Sequence, residues 1–143
     1  MSGRACVLID SDAEAARARR GAERAGVLIE VERHSLGEFP FDPQSFDLVV
    51  FDNRQGLISS MTPEMRALTI HQARRVLAPR GRTVVIETAP RAGLGALLNR
   101  AAVAAEHHYT TSGGTAPALQ AEGFKAVREL ARRDGLSFFE GIV

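Results

Sequence analysis

Three short apolar runs constrain this chain more than any other feature: "ACVLI" (Ala5 to Ile9), "FDLVVF" (Phe46 to Phe51) and "TVVIET" (Thr83 to Thr88). None shows sustained polar alternation, which is the pattern of strands covered on both faces, as in a parallel sheet. Helical segments separate them. Asp10-Ser11-Asp12 supplies N-cap candidates for an Ala-, Arg- and Glu-rich helix from Ala13 to Ala25, which Gly26 ends. Pro63, after the cap candidate Thr62, opens a second helix that runs to about Leu77, with apolar positions at Met65, Leu68, Ile70, Ala73, Val76 and Leu77. "APRG", Ala78 to Gly81, reads as its stop signal.

A further strand is expected over Val27 to Arg33, and a polar corner with two prolines spans Phe39 to Gln44. Leu94 to Ala105 reads as a helix and Ala116 to Glu122 as a short one closed by Gly123. The tail has two runs around Arg133-Asp134-Gly135, a hairpin signal. The order is strand, helix, strand, strand, helix, strand, helix, short helix, hairpin. It specifies an α/β fold with a mostly parallel sheet, a C-terminal antiparallel hairpin and helices on both faces. Ligands in such sheets sit at the carboxyl ends of the strands, so the loops after Ile9, Arg33, Phe51 and Glu87 are where a site is expected.

Length and composition bound the rest. At 143 residues the chain is expected to be one domain, residues 1–143, and 45% hydrophobic with 24% charged residues is ordinary globular composition. A formal net charge of +1, with the cations spread along the chain, gives no basic stripe for nucleic acid. Lys125 is the only lysine beside seventeen arginines, a bias of base composition rather than of recognition. No long apolar span and no secretory leader pattern is present, so neither a membrane partner nor export is expected, and the expected location is the cytoplasm. Cys6 lies in an apolar run and reads as a small core residue. His107-His108 follows a helix end without a carboxylate pair at ligand spacing, so no metal site is expected there.

"FPFDPQSFDLVV" (Phe39 to Val50) and "RVLAPRGRTVVIE" (Arg75 to Glu87) resemble two segments of the class I methyltransferases that use S-adenosylmethionine, in particular their small-molecule branch known as type 11. The tail from Leu119 to Phe139 is similar to the closing antiparallel pair of that family. The resemblance covers nearly the whole chain and implies a Rossmann-like methyltransferase fold, S-adenosylmethionine as cofactor and a small-molecule acceptor. It places Asp10, with Ser11 beside it, where an acidic residue accepts the ribose hydroxyls. Ser35 stands where an Asp usually takes the adenine amino group, and Leu36 offers a backbone N–H to the ring. Phe51, Asp52 and Asn53 fall where the methionine end meets the acceptor, and His107, His108 and Tyr109 fall in the segment that lines the acceptor pocket. Each has a plainer reading: Asp10 or Asp12 as a helix cap, Ser35 as a turn residue, Asp52-Asn53 as a loop corner, the histidines as a solvated helix end.

The family's first strand and its glycine-rich turn, where bare backbone approaches the methionine moiety, have no counterpart before Asp10. Loss of that central strand leaves two unpaired edges. The expectation is a methyltransferase-like protein that is impaired or completed by a partner: the edges close on each other, a second copy or partner chain covers the gap, or the missing segment lies upstream. Two alternatives stay open. One is a noncatalytic dimerisation or partner-binding module. The other is a receiver-like signalling domain in which Asp10, Asp12 and a phosphoacceptor Asp52 gather around a divalent cation, although the Lys-Pro pair of receivers is missing around Lys125.

Overall fold

The computed structural model describes residues 5–88 and 109–143. They form β1 (Cys6–Ile9), α1 (Asp12–Ala25), β2 (Glu30–Arg33), β3 (Phe46–Asp52), α2 (Pro63–Val76), β4 (Leu77–Thr88), α3 (Thr115–Ala121), β5 (Lys125–Arg133) and β6 (Leu136–Ile142). The chain packs as two compact units, Met1–Pro40 and Phe41–Val143. The helix expected over Leu94 to Ala105 lies outside the described residues.

In the first unit β1 and β2 pair in parallel, Cys6 opposite Glu30 and Ile9 opposite Arg33. Asp12 and Glu14 in the first turn of α1 and Arg24 in the last complement the helix dipole. Ser11 is the N-cap in extended conformation, but its side chain makes no capping bond. The C-terminus is firmer: Gly26 sits at φ 66°, its N–H bonds Glu23 O, and Val27 N–H reaches back to Ala22 O. That closure corrects the expected strand start. Val27 is still part of the helix cap and Leu28 is 98% exposed, so β2 begins only at Glu30.

The second unit is a four-stranded sheet in the order β3-β4-β6-β5. β3 and β4 are parallel, with Val49 opposite Thr83 and Phe51 opposite Val85. β6 joins β4 antiparallel and turns back to β5 through Asp134 (φ 53°) and Gly135 (φ 75°), the two positive dihedrals of a tight hairpin turn. The sheet is therefore mixed rather than wholly parallel, its antiparallel part being the expected hairpin.

Between β3 and β4 runs α2. Thr62 Oγ1 accepts the N–H of Met65 at 3.3 Å and Pro63 opens the first turn, where its missing N–H costs nothing. Its buried face is Arg66, Thr69, Ile70, Ala73 and Val76, a helical repeat that leaves Met65 and Leu68 outside. The helix stops at Val76, ahead of "APRG", and Ala78 to Gly81 lie inside the next strand. β4 starts at Leu77, opposite Phe46, then bulges so that Arg82 comes opposite Leu48. Gly81 is required there, because a Cβ would stand 2.7 Å from Ala78 O. Among the described residues no helix is long and apolar enough to cross a membrane.

Candidate functional site

Neighbouring parallel strands point the same way, so the residues at their carboxyl ends gather at one rim. β3 ends at Asp52 and β4 at Thr88, with Asp52 opposite Ile86 and the N–H of Asn53 bonded to Ile86 O at 2.8 Å. The carboxyl ends of the two strands thus set Asp52, Asn53 and Glu87 side by side.

Asn53 is buried and its amide is engaged at both ends. Its Oδ1 accepts from the N–H of Ile58 (2.7 Å) and of Ser59 (3.3 Å), and its Nδ2 reaches Glu87 Oε2 at 3.4 Å. The loop after β3 is closed from the other direction by Arg66, also buried, whose guanidinium donates to the carbonyls of Ile58 (3.1 Å), Ser59 (3.3 Å) and Met61 (2.9 Å). One amide and one guanidinium thereby satisfy backbone groups that a buried loop would otherwise leave unpaired.

Arg66 also stands 4.5 Å from the centroid of the Tyr109 ring, a cation–π contact. Tyr109 is 6% exposed, and its hydroxyl bonds Thr115 Oγ1, which lies 2.8 Å from Glu87 Oε2. A threonine hydroxyl has one proton. With that proton given to the carboxylate, Tyr109 is the donor to Thr115. Burial pushes the Tyr109 phenol up to about 12, and the charge of Glu87 adds to the shift. Burial also lowers the Arg66 guanidinium from its ordinary value.

Asp52 is different. It is half exposed and clasped by Arg54, Nε to Oδ1 at 2.7 Å and Nη2 to Oδ2 at 2.6 Å. The hydrogen bond from Arg54 holds its carboxyl below the usual aspartate value, against a partial desolvation. Phe51 is buried in the sheet.

In the first unit, Asp10 follows β1 as an exposed residue whose carboxylate makes no bond among the described residues. Asp12 is instead paired with Arg33 at 3.0 Å. Ser35 is a turn residue: its Oγ accepts the N–H of Gly37 (3.2 Å) and its carbonyl that of Glu38 (3.1 Å). The N–H of the adjacent Leu36 has no acceptor among the described residues. The sequence-expected residues are thus split, Asp10, Ser11, Ser35 and Leu36 in one unit and Phe51, Asp52, Asn53 and Tyr109 in the other. His107 and His108 lie outside the described residues. Arg66, Glu87 and Thr115 were not singled out as site residues by the sequence. Glu87 carried the clearest signal, an acid placed directly after "VVI" at a strand's carboxyl end.

A family model described as "Methyltransferase domain" matches residues 2–81, more than half of the chain. This chain belongs to the methyltransferase-domain family. It is a class I S-adenosylmethionine-dependent methyltransferase domain by fold and family, and S-adenosylmethionine is the cofactor of that family. Solved structures agree in fold. An S-adenosylmethionine-dependent methyltransferase from Methanosarcina mazei superposes with a TM-score of 0.61 at 18% identity over 96% of this chain and 80% of its own. PigF with S-adenosylhomocysteine gives 0.66 at 17% identity, over 96% of this chain and 42% of its own. The [4+2]-cyclase SpnF gives 0.65 at 13%, over 97% and 65%. Among curated proteins no match is found. The methyltransferase domain spans 71%, 43% and 45% of three further solved structures that it matches.

The described residues fit part of such a cofactor. Asp10 presents an unengaged, acceptor-only carboxylate at a strand's carboxyl end, which suits a ribose diol, and the Leu36 N–H suits a ring nitrogen. No group of three His, Cys, Asp or Glu that could hold a metal ion is found among the described residues, and the Asp52 carboxylate is occupied by Arg54. The comparisons give the receiver reading no support.

Proposed function

We propose that this domain methylates a small molecule with S-adenosylmethionine, and that its cofactor pocket is completed by a strand which a second copy of the chain lays against β3. The supporting observation is the contrast between the two edges of the four-stranded sheet. The β5 edge carries Lys125, Arg128, Glu129, Arg132 and Arg133 and two register shifts, the usual protection of an exposed edge. The β3 edge carries no lysine or arginine, its charges being Asp47 and Asp52, and its one register shift lies at its start, between Phe46 and Leu48. Its sequence is "FDLVVFD", it has β4 on one side and no strand on the other among the described residues, and Leu48 and Val50 are 49% and 50% exposed. Because Asn53 directs its N–H to β4, the alternation of a strand turns the N–H and C=O groups of Leu48, Val50 and Asp52 to the unpaired edge.

In this reading Asp10, with Ser11 beside it, takes the ribose hydroxyls, Ser35 and Leu36 meet the base, and Phe51, Asp52 and Asn53 border the methionine end. When bound, the cofactor supplies an activated methyl group, so the chain's own task is mainly alignment. His107, His108 and Tyr109 belong to the acceptor side, Tyr109 through Thr115, which bonds Glu87. The partners are a second copy and the small-molecule acceptor, with neither nucleic acid nor membrane involved.

The test is the solution mass by light scattering together with the thermal midpoint with and without S-adenosylhomocysteine. The expected result is a dimer whose midpoint rises with ligand, and a Val50→Lys chain that is monomeric and loses the rise. A monomer with an undiminished ligand response would refute completion by a second copy; absence of any response in a dimer would refute cofactor use.

A further inference from the structure

Glu87 is an anion that the fold fixes in place and that has no counter-ion among the described residues. It is half-buried at the carboxyl end of β4. Oε2 accepts from Thr115 and, more distantly, from Asn53, both of them buried and themselves held, Thr115 by Tyr109 and Asn53 by the backbone of Ile58 and Ser59. Oε1 takes no hydrogen bond among the described residues. No arginine, lysine or histidine among them forms an ion pair with Glu87, whereas the still more deeply buried Glu140 is bridged by Arg82 (3.3 Å) and Arg128 (3.2 Å). Two described arginines of the loop after β3 and of α2 are engaged elsewhere: Arg66 with three loop carbonyls and Arg54 with Asp52. A carboxylate withdrawn from water is stabilised when a cation joins it, and here two neutral donors on one oxygen leave that role open.

We infer that Glu87 is the acceptor-binding carboxylate of this domain and that the acceptor is an amine, held as its ammonium ion on Oε1. This rests on the methyltransferase reading above and names the substrate class that it leaves open. The chemistry asked of Glu87 is one proton transfer. As the N–H bond breaks, the proton passes to Oε1 and the electron pair remains on nitrogen, converting the ammonium into the nucleophile that a methyl donor requires. Thr115 and Asn53 are positioning residues, because they fix the carboxylate without reaching past it.

Propylamine, 1-propanol and propionate are of one size and differ in charge, and they make the test independent of cofactor. Each is titrated into the full chain at neutral pH while the backbone amide signals of Asn53, Ile58 and Thr115 are followed by NMR. Propylamine is expected to shift all three with a dissociation constant of about 10 mM, with propionate producing no shift at that concentration. Glu87→Gln keeps an oxygen for Thr115 and is expected to weaken propylamine at least about tenfold. Glu87→Asp should restore part of the affinity, and Glu129→Gln, on the far edge of the sheet, should change nothing. Equal responses to propylamine and propionate, or equal propylamine affinity in Glu87→Gln, would overturn the inference, as would no shift at about 100 mM propylamine. Amine binding without any binding of S-adenosylhomocysteine would overturn the cofactor reading and leave the Glu87 site standing.

Discussion

Asn53→Ala removes the side chain that closes the loop after β3, and the cost can be worked out bond by bond. The bond to Ile58 N–H is short, 2.7 Å, and Ile58 is 1% exposed, so the amide is stranded without water; that costs about 2 kcal/mol. The 3.3 Å bond to Ser59 is weaker and adds about 1 kcal/mol. The 3.4 Å contact with Glu87 adds less than about 0.5 kcal/mol, because Thr115 remains on the same oxygen. The sum is about 3 kcal/mol, which at a urea dependence of roughly 1.5 kcal/mol per molar lowers the midpoint by about 2 M. Tyr109 is the only tyrosine and tryptophan is absent, so intrinsic fluorescence in a urea titration reports on the second unit alone. Hydrogen exchange at the amides of Ile58 and Ser59 should accelerate in parallel. A loss below about 0.5 kcal/mol with unchanged exchange would refute the view that Asn53 is a loop clamp.

The same cluster gives three further expectations. Arg66→Met should cost about 2–4 kcal/mol, read from the same urea titration, and Arg66→Lys should recover less than half, because one ammonium cannot span the carbonyls of Ile58, Ser59 and Met61. The Tyr109 phenol, raised from 10.0 to about 12, should show no phenolate absorbance until near pH 12 in the folded chain. Since the unfolded chain gives up that proton first, stability is fully present below pH 10 and falls by about 2–3 kcal/mol as the pH rises through 12. Asp52 has the opposite sign: its depressed carboxyl stabilises the fold above the ordinary aspartate range, and that contribution disappears as the pH falls through its folded value. Because Asp52 is half exposed the amount is only about a few tenths of a kcal/mol, visible as an acid-side difference between the wild type and Arg54→Ala.

Periodicity and punctuation carry much of this fold. The helix start at Thr62-Pro63, the stop at Gly26 and the turn at Asp134-Gly135 each rest on a local rule, a hydroxyl cap, a left-handed glycine and paired positive dihedrals, and each stands where the residues put it. Val27 and Leu28 read as strand because they are apolar, but the helix cap claims the backbone of Val27 first. "APRG" reads as a helix stop but forms a bulge within β4, and a bulge depends on the partner strand, which a single segment does not contain. Position was legible where a residue follows or closes a strand directly, as Asp10 does after β1 and Asp52 at the end of β3. Role was hidden where it is set by distant neighbours: Thr115 is 28 positions from Glu87, Asn53 is 34 from it, and Arg66 reads in sequence only as one more arginine of a helix. Asn53 was expected at the methionine end, and its amide is consumed by the loop it closes, so any part it takes there comes through its backbone and its placement.

The most direct test of the central claim is calorimetric titration of S-adenosylhomocysteine into the 143-residue chain, with Asp10→Ala in parallel. Asp10 is exposed and unpaired among the described residues, so its removal leaves the fold intact and reports on the ligand alone. The account predicts saturable binding with a dissociation constant below about 1 mM that Asp10→Ala weakens at least about tenfold. Absence of heat up to about 5 mM ligand, or equal affinity in the two chains, would contradict it.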